Sequence, residues 1–445
     1  MNKARLSQDP RSMRRIIAED PEWNLETVPP LVDACIQHIA DHFHVHPILE
    51  ELLPKHKKMV LEKLSPSVPL KVTSHLVSDE DYWKKCCTTR WGNCDVSKYG
   101  KCWKRMFFEK NAQEALEKFV PDQSDLSELE ELLRLSSPFI KCLDIQQLLP
   151  PPPDDKMLSH NHEDEEQSED TPLKPCNDHI NTGILFQTLK NLEELGLAYG
   201  VKNCGMNFDW GLFEFTKLDC ARLSKAVGSS RTLQVLRVCC SKMADERGRV
   251  LASHILDHPS LRELDLSHNK LGDGMGRALG KLLSGRTVLT TLDLCDNLIG
   301  SMGGAAIGHA LQTNTTLKHL NLRLNKLGDE GAQPIFKALM KNMTLQSLNI
   351  SSNSIGDIAA PMLAEVLIAN KTLTSLSIAS NTLGEGSGQA IQEGMQENTV
   401  LVSFDLRLTD ISQQSEYCIN QFVKANQDRQ KANSKLMSTS AKTNR

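Results

Sequence analysis

Leu261-Arg262-Glu263-Leu264-Asp265-Leu266-Ser267-His268-Asn269 is the stretch that decides the fold. The same phrase reopens at Leu289, Leu317, Leu345, Leu373 and Leu401, each 28 residues after the last. The final copy reads Leu401-Val402-Ser403-Phe404-Asp405-Leu406-Arg407-Leu408-Thr409. A fixed period of this length means one supersecondary unit per repeat, stacked so that neighbours bury a continuous core. Leu264 and Leu266 are two apart, which puts them on one face of a short strand, while Asp265 points the other way. Asn269, Asn297, Asn325, Asn353 and Asn381 close successive phrases. An amide both donates and accepts, so stacked Asn side chains can satisfy backbone groups at each turn.

The pattern L-x-x-L-x-L-x-x-N-x-L is that of leucine-rich repeats, and the length of the unit resembles the ribonuclease-inhibitor class. The second half of each repeat reads as a helix. Gly276-Arg277-Ala278-Leu279-Gly280-Lys281-Leu282-Leu283 and the run from Gly331 to Leu339 carry apolar residues at three- and four-residue spacing. Pro334 and Pro361 fit only a first helical turn, which places helix starts near them. The expected fold is α/β: a leucine-rich repeat horseshoe with a parallel sheet inside and helices outside, preceded by a mostly α-helical N-terminal domain. Leu233-Gln234-Val235-Leu236 extends the period backwards; Leu192 comes 41 residues earlier, so that repeat carries 13 extra residues. Ile140-Lys141-Cys142-Leu143-Asp144-Ile145 has the spacing of a first strand.

The remaining segments divide by composition. Residues 1–137 hold four of the five tryptophans and read as helices near Val28–Phe43, Pro47–Lys63, Asp79–Lys85, Trp103–Phe119 and Leu126–Leu135. Asp79-Glu80-Asp81 suits a helix N-terminus. Residues 138–149 form the first capping strand. Residues 150–180 start with four prolines, continue through Glu163-Asp164-Glu165-Glu166, and read as a disordered acidic loop. Residues 181–423 hold the repeats and a closing helix from Gln413 through Tyr417, Ile419, Phe422 and Val423. Residues 424–445 read as a disordered basic tail, able at most to contact an acidic surface such as a microtubule.

Composition narrows the function. The chain has 445 residues and a net charge of −5, which implies no strong electrostatic partner for the molecule as a whole. Its 13 cysteines form no C-x-x-C pair, and no signal peptide or membrane span is legible, which suits a reducing, intracellular setting. Of the glycosylation-like triplets at Asn314, Asn342, Asn349 and Asn370, three share one repeat phase, so they are read as consensus, not modification. His38 and His42 are four apart and could share a helix face as zinc ligands do, but His44 and His46 leave that face and no second cluster supports the pair. Cys86, Cys87, Cys94 and Cys102 lack zinc-site spacing. The interleaved aromatics and cations of residues 82–108 suit a core with solvated lysines better than a nucleic-acid surface. Enzyme signatures are absent: no P-loop, G-x-S-x-G, H-E-x-x-H or kinase set. No catalytic residue, cofactor, metal, nucleic-acid, membrane or small-molecule site is therefore expected. The default binding surface is the concave strand face, with Glu263, Asp265, His268, Asp293, Asp296, His319, Arg323, Asp405 and Arg407 as candidate contacts.

Several motifs outside the repeats carry a family resemblance. Pro21-Glu22-Trp23-Asn24, the run from Asp79 to Trp91, Ile145-Gln146-Gln147-Leu148-Leu149-Pro150 and the acidic loop resemble the leucine-rich repeat subunits of the nexin–dynein regulatory complex. That resemblance covers roughly residues 10–425. It implies a non-catalytic scaffold of the ciliary or flagellar axoneme that links doublet microtubules and regulates dynein-driven motility, including that of sperm. Its implied partners are other subunits of that complex and doublet microtubules, and its implied location is the cytoskeleton. Two alternatives come from other classes. Leu53-Pro54, Leu61, Leu64, Trp83 and Trp91 are similar to parts of an F-box, which would make a ubiquitin-ligase substrate adaptor. Ran GTPase-activating protein has similar repeats, which would make a small-GTPase activator.

Overall fold

The computed structural model describes residues 14–15, 27–28, 30–121, 123–149, 179–204 and 210–443. The motif at Pro21–Asn24, residues 150–178 of the expected acidic loop, and residues 205–209 of the insertion lie outside the described residues. The chain divides into two compact units: Met1–Asn111 with Arg134–Ile140, and Ala112–Leu133 with Lys141–Arg445. Residues 112–133 thus group with the repeats rather than ending at a single boundary near 137. Glu117 shows why: its carboxylate accepts the Gln146 N–H at 3.0 Å, and its carbonyl accepts from the Gln147 side chain at 3.3 Å.

The first unit is helical. It contains α1 (Leu31–Asp41), α2 (Pro54–Lys63), α3 (Leu70–Leu76) and α4 (Glu80–Trp91), with parts of α5 (Trp103–Lys118) and α6 (Leu126–Ser136). Its core gathers Phe43, Leu49, Val60, Leu64, Trp83 and Phe108, all at most 1% exposed. The Trp83 ring donates its N–H to the Val77 carbonyl at 2.9 Å, so its polar edge is matched. Cys86 and Cys87 are core residues here, and burial pushes the Cys87 thiol up to about 12. Asp79 caps α4 by accepting the Tyr82 N–H at 2.8 Å. Three boundaries differ from expectation. The helix expected from Pro47 begins at Pro54, because proline pre-sets a first turn. α4 runs beyond Lys85 to Trp91, where Gly92 at φ +65° stops it. α3 has no counterpart among the expected helices; its Pro69 N-cap supplies the start.

The second unit carries the repeats. A nine-stranded parallel sheet runs in chain order through β1 (Cys142–Ile145), β2 (Glu194–Leu197), β3 (Val235–Val238), β4 (Glu263–Asp265), β5 (Thr291–Asp293), β6 (His319–Asn321), β7 (Ser347–Asn349), β8 (Ser375–Ser377) and β9 (Ser403–Asp405). Between strands lie α7 (Gly183–Thr188), α8 (Lys217–Ser229), α9 (Asp245–His254), α10 (Asp273–Ser284), α11 (Ser301–Leu311), α12 (Gly328–Leu339), α13 (Ala360–Ala369) and α14 (Glu385–Glu397). From β4 onward the register matches the leucine period: Leu264 opposes Leu292, which opposes Leu320, and so on to Phe404. The inward residues Leu264, Leu292, Leu320, Leu348 and Leu376 are at most 2% exposed. Each such burial is worth about 1.5–3 kcal/mol, so the repeated leucine is the main source of cohesion.

Two expectations fail here. Pro361 does sit in the first turn of α13, but Pro334 lies inside α12, well past its start at Gly328. Tertiary packing overrides the propensity. A Cβ at Gly308 on α11 would stand 2.6 Å from the Pro334 carbonyl carbon, so the two helix backbones meet directly at that point. The tail is the second correction. The closing helix α15 spans Gln413–Thr443, so residues 424–443 continue a helix instead of forming an unstructured tail. The segment contains no glycine or proline and is rich in helix formers. Asn426 and Gln427 also anchor it, donating to the Leu401 carbonyl at 3.1 Å and the Val402 carbonyl at 2.7 Å. Ile419 and Val423 face the core as expected, whereas Tyr417 is 62% exposed.

Candidate functional site

The strand face is shaped by ladders of side chains that repeat with the leucines. In the first ladder, Asn353 is fully buried and donates to the Leu322 and Ile350 carbonyls at 2.8 and 3.1 Å, while its oxygen accepts the Leu327 N–H at 3.3 Å. Asn325 does the same with Leu294, Leu322 and Ile299. Asn269, Asn297 and Asn381 repeat the arrangement in their own turns. At the last strand, Thr409 keeps one of these bonds, to the Leu406 carbonyl at 2.6 Å.

A second ladder runs where each helix returns to the next strand. Asn314, Asn342, Asn370 and Asn398 are at most 6% exposed. Each accepts the N–H of the leucine three residues on, at 2.8–2.9 Å. Each donates back 31 residues, to the carbonyls of Leu283, Leu311, Leu339 and Leu367, at 2.7–2.8 Å. This is the physical content of the glycosylation-like triplets at Asn314, Asn342 and Asn370: their amides are buried and engaged. The same position one turn of the period earlier than Arg286 is His258. Its Nδ1 accepts the Leu261 N–H at 3.0 Å and its Nε2 reaches the Val227 carbonyl at 3.1 Å. A neutral imidazole protonated on Nε2 therefore stands in for the amide.

A third series joins helix starts. Asp245, Asp273, Asp329 and Asp357 each accept backbone N–H groups from the next repeat, including Gly272, Gly300, Gly356 and Gly384 at 2.5–2.9 Å. Ser301 interrupts this series. Neither the second nor the third series was among the expected site residues, yet both are visible in the sequence as period-28 positions.

Several candidate contacts on the strand face already have partners. Arg237 bonds Glu263 at 2.8 Å and Glu194 at 3.5 Å. His268 pairs with Asp296 at 2.9 Å, and Asp405 with Arg407 at 2.8 Å. Arg407 holds the Asp405 carboxyl below the usual carboxylate range. Asp265, Asp293, Asn321, Asn349 and Asp405 each accept the N–H two residues on, at 2.8–3.2 Å, closing the turn after the strand. Asp293 also takes the Asn321 amide at 2.9 Å, and burial pushes its carboxyl up. These acids thus shape turns first. His319 and Arg323 are exposed and, among the described residues, make no ion pair. The residue before each ladder Asn adopts positive φ (His268, Asp296, Leu324, Ser352 and Ser380), as do Cys240 before Ser241 and Leu408 before Thr409 at the same phase, at +51° to +58°. Leucine is an unfavourable choice there, and Leu324 and Leu408 are 39% and 83% exposed. They form the apolar points of an otherwise polar rim.

Elsewhere the clusters singled out by sequence have local explanations. The His38 and His42 rings lie 4.2 Å apart, and His42 Nδ1 is 3.0 Å from the His38 carbonyl. Lys104 sits over the Trp83 and Phe139 rings and donates to the Ser74 and Val77 carbonyls at 2.7 and 2.9 Å, so the basic-aromatic stretch is knit into the core of the first unit. Among the described residues no group of His, Cys, Asp and Glu is placed to hold a metal ion, and no helix is long and apolar enough to cross a membrane.

Known proteins resemble the chain in two ways. The leucine-rich repeat family model matches residues 257–280, 313–336, 341–364 and 369–391, and the chain carries these repeats. Proteins named dynein regulatory complex subunit 5 match it more widely. The Macaca fascicularis protein is 44% identical over 256 residues, 58% of this chain and 51% of its own. The Homo sapiens protein is 43% identical over 257 residues, and the Chlamydomonas reinhardtii protein 34% over 224. The chain spans about half the length of these relatives (51%, 51% and 50%). Among solved structures, an internalin from Listeria monocytogenes aligns with a TM-score of 0.35 and 17% identity, over 66% of this chain and 68% of its own.

Proposed function

We propose that the chain is a non-catalytic scaffold subunit of the nexin–dynein regulatory complex in the axoneme of cilia and flagella. The observation that carries this reading is the similarity, extending to an algal protein at 34% identity, to proteins named for that complex. The repeats fit the role. Their buried ladders fix neighbouring turns rigidly, and a rigid array positions partners without chemistry of its own. In this reading the strand face and the exposed Leu324 and Leu408 contact other subunits, and the assembly restrains dynein-driven sliding between doublet microtubules, in sperm among other motile cells. The expected partners are proteins. The protein should co-sediment with salt-washed axonemes from ciliated cells. Recovery entirely in the detergent-soluble fraction would refute the assignment. Crosslinking mass spectrometry on intact axonemes would then identify which subunits touch the rim.

A further inference from the structure

The return edge of the early repeats is a different surface from the strand face. A cavity of about 580 Å³ opens between α7 and α8, and a second of about 520 Å³ adjoins it, sharing Arg231 and Thr232. Lys190, Arg222, Lys225 and Arg231 line the first, with no carboxylate among its lining residues. The second adds Arg262 and the pair Lys141–Glu193, whose charges meet at 2.9 Å and cancel. Among the described residues, none of Lys190, Arg222, Lys225, Arg231 and Arg262 makes an ion pair, in a chain whose net charge is −5. Lys190 and Arg231 lie two residues past the ends of α7 and α8, where helix carbonyls favour positive charge but leave the side-chain heads open to solvent. The floor is apolar in part: Leu189 is 1% and Ala226 7% exposed, and Phe186 also lines it.

We infer that this joined groove is a docking site for an acidic, extended protein segment carrying a few apolar side chains. Charge complementarity selects the partner: clustered unmatched cations with a partly apolar floor suit carboxylates alternating with aliphatic groups. Single-stranded nucleic acid is the weaker fit. Such strands stack on successive aromatic rings, and Phe186 is the only ring among the lining residues of either cavity. Glu193 also interrupts what a uniform polyphosphate would require. The groove's chemistry stands whichever complex the chain serves.

The test uses the full chain and a fluorescein-labelled glutamate-rich peptide with interspersed leucines, read by fluorescence anisotropy. The peptide should bind at low salt, and more weakly as salt rises. The triple variant R222E/K225E/R231E should lose roughly tenfold or more in affinity. The milder Arg222→Gln and Arg231→Gln keep the test sound should the triple variant misfold, and each should weaken binding with an unchanged circular dichroism spectrum. A Lys337→Glu control, on α12, should bind as the parent does. Equal affinity for parent and groove variants would overturn the inference. So would tighter binding of an oligothymidylate of matched charge. Peptide binding that emerges only after the chain's own carboxylates at 163–170 are changed to amides would likewise overturn it, by making the occupant internal.

Discussion

Replacing His258 tests the ladder reading directly. The imidazole is 5% exposed and bonds the Leu261 N–H and the Val227 carbonyl. His258→Leu keeps bulk but leaves the Leu261 N–H buried without a partner, while the Val227 carbonyl keeps the Ser230 N–H at 2.9 Å. One orphaned group should cost about 1–3 kcal/mol. His258→Asn should cost under ~1 kcal/mol, because Asn at Asn314, Asn342, Asn370 and Asn398 makes the same two bonds at 2.7–2.9 Å. The pH dependence is a second signature. Burial, with Arg231 nearby, lowers the His258 pKa from its usual 6.5. Below that value the unfolded chain binds a proton that the native chain refuses. The contribution is therefore intact above about pH 6.5 and is lost as pH falls, at up to about 1.4 kcal/mol per pH unit. Urea unfolding followed by far-ultraviolet circular dichroism, from neutral pH to pH 5, measures both. In His258→Asn the acid-dependent part of the loss should shrink relative to the parent. Parallel pH profiles for parent and His258→Asn, or an Asn variant as damaged as the Leu variant, would refute the reasoning.

Other perturbations probe other ties. Asn353→Ala strands the Leu327 N–H, while the Leu322 and Ile350 carbonyls keep the Asn325 and Asn381 amides; it should cost about 1–3 kcal/mol in urea unfolding and raise amide exchange around Leu327. Gly308→Ala would set a methyl 2.6 Å from the Pro334 carbonyl carbon, so α11 and α12 must separate, at about 1–3 kcal/mol in thermal unfolding. Leu408→Asn replaces an exposed leucine at φ +58° with a residue that tolerates that backbone; it should raise stability by up to about 1 kcal/mol, and a drop would contradict the strain argument.

The repeats were legible because one physical demand recurs. Each inward leucine must meet the next, so register, strand position and the first ladder follow from counting. The second ladder was equally countable, but its Asn-x-Thr form resembles a modification signal, and the His258 substitution hides its start. Proline rules placed Pro361 and misplaced Pro334, because the room made by Gly308 is a property of the neighbouring repeat. The long closing helix was obscured by its charge: basic composition reads as a tail until Asn426 is seen to bond Asn398 and Leu401. The cationic groove was invisible for a plainer reason. Lys190, Arg222, Arg231 and Arg262 are scattered in sequence and meet only when α7, α8 and the following turns are stacked.

The direction of the ladders bears on how the protein is made. Each Asn of the second ladder donates to a carbonyl 31 residues behind it. Each oxygen of the first ladder likewise accepts an N–H from the preceding turn. A growing polypeptide emerging from the ribosome therefore always carries one incomplete trailing edge, and each new turn seals the one already made. In the regular repeats folding can follow translation turn by turn, since each strand pairs with one 28 residues away. The last seal comes from Asn426, well after the final strand, so synthesis must reach the closing helix before the last turn is satisfied.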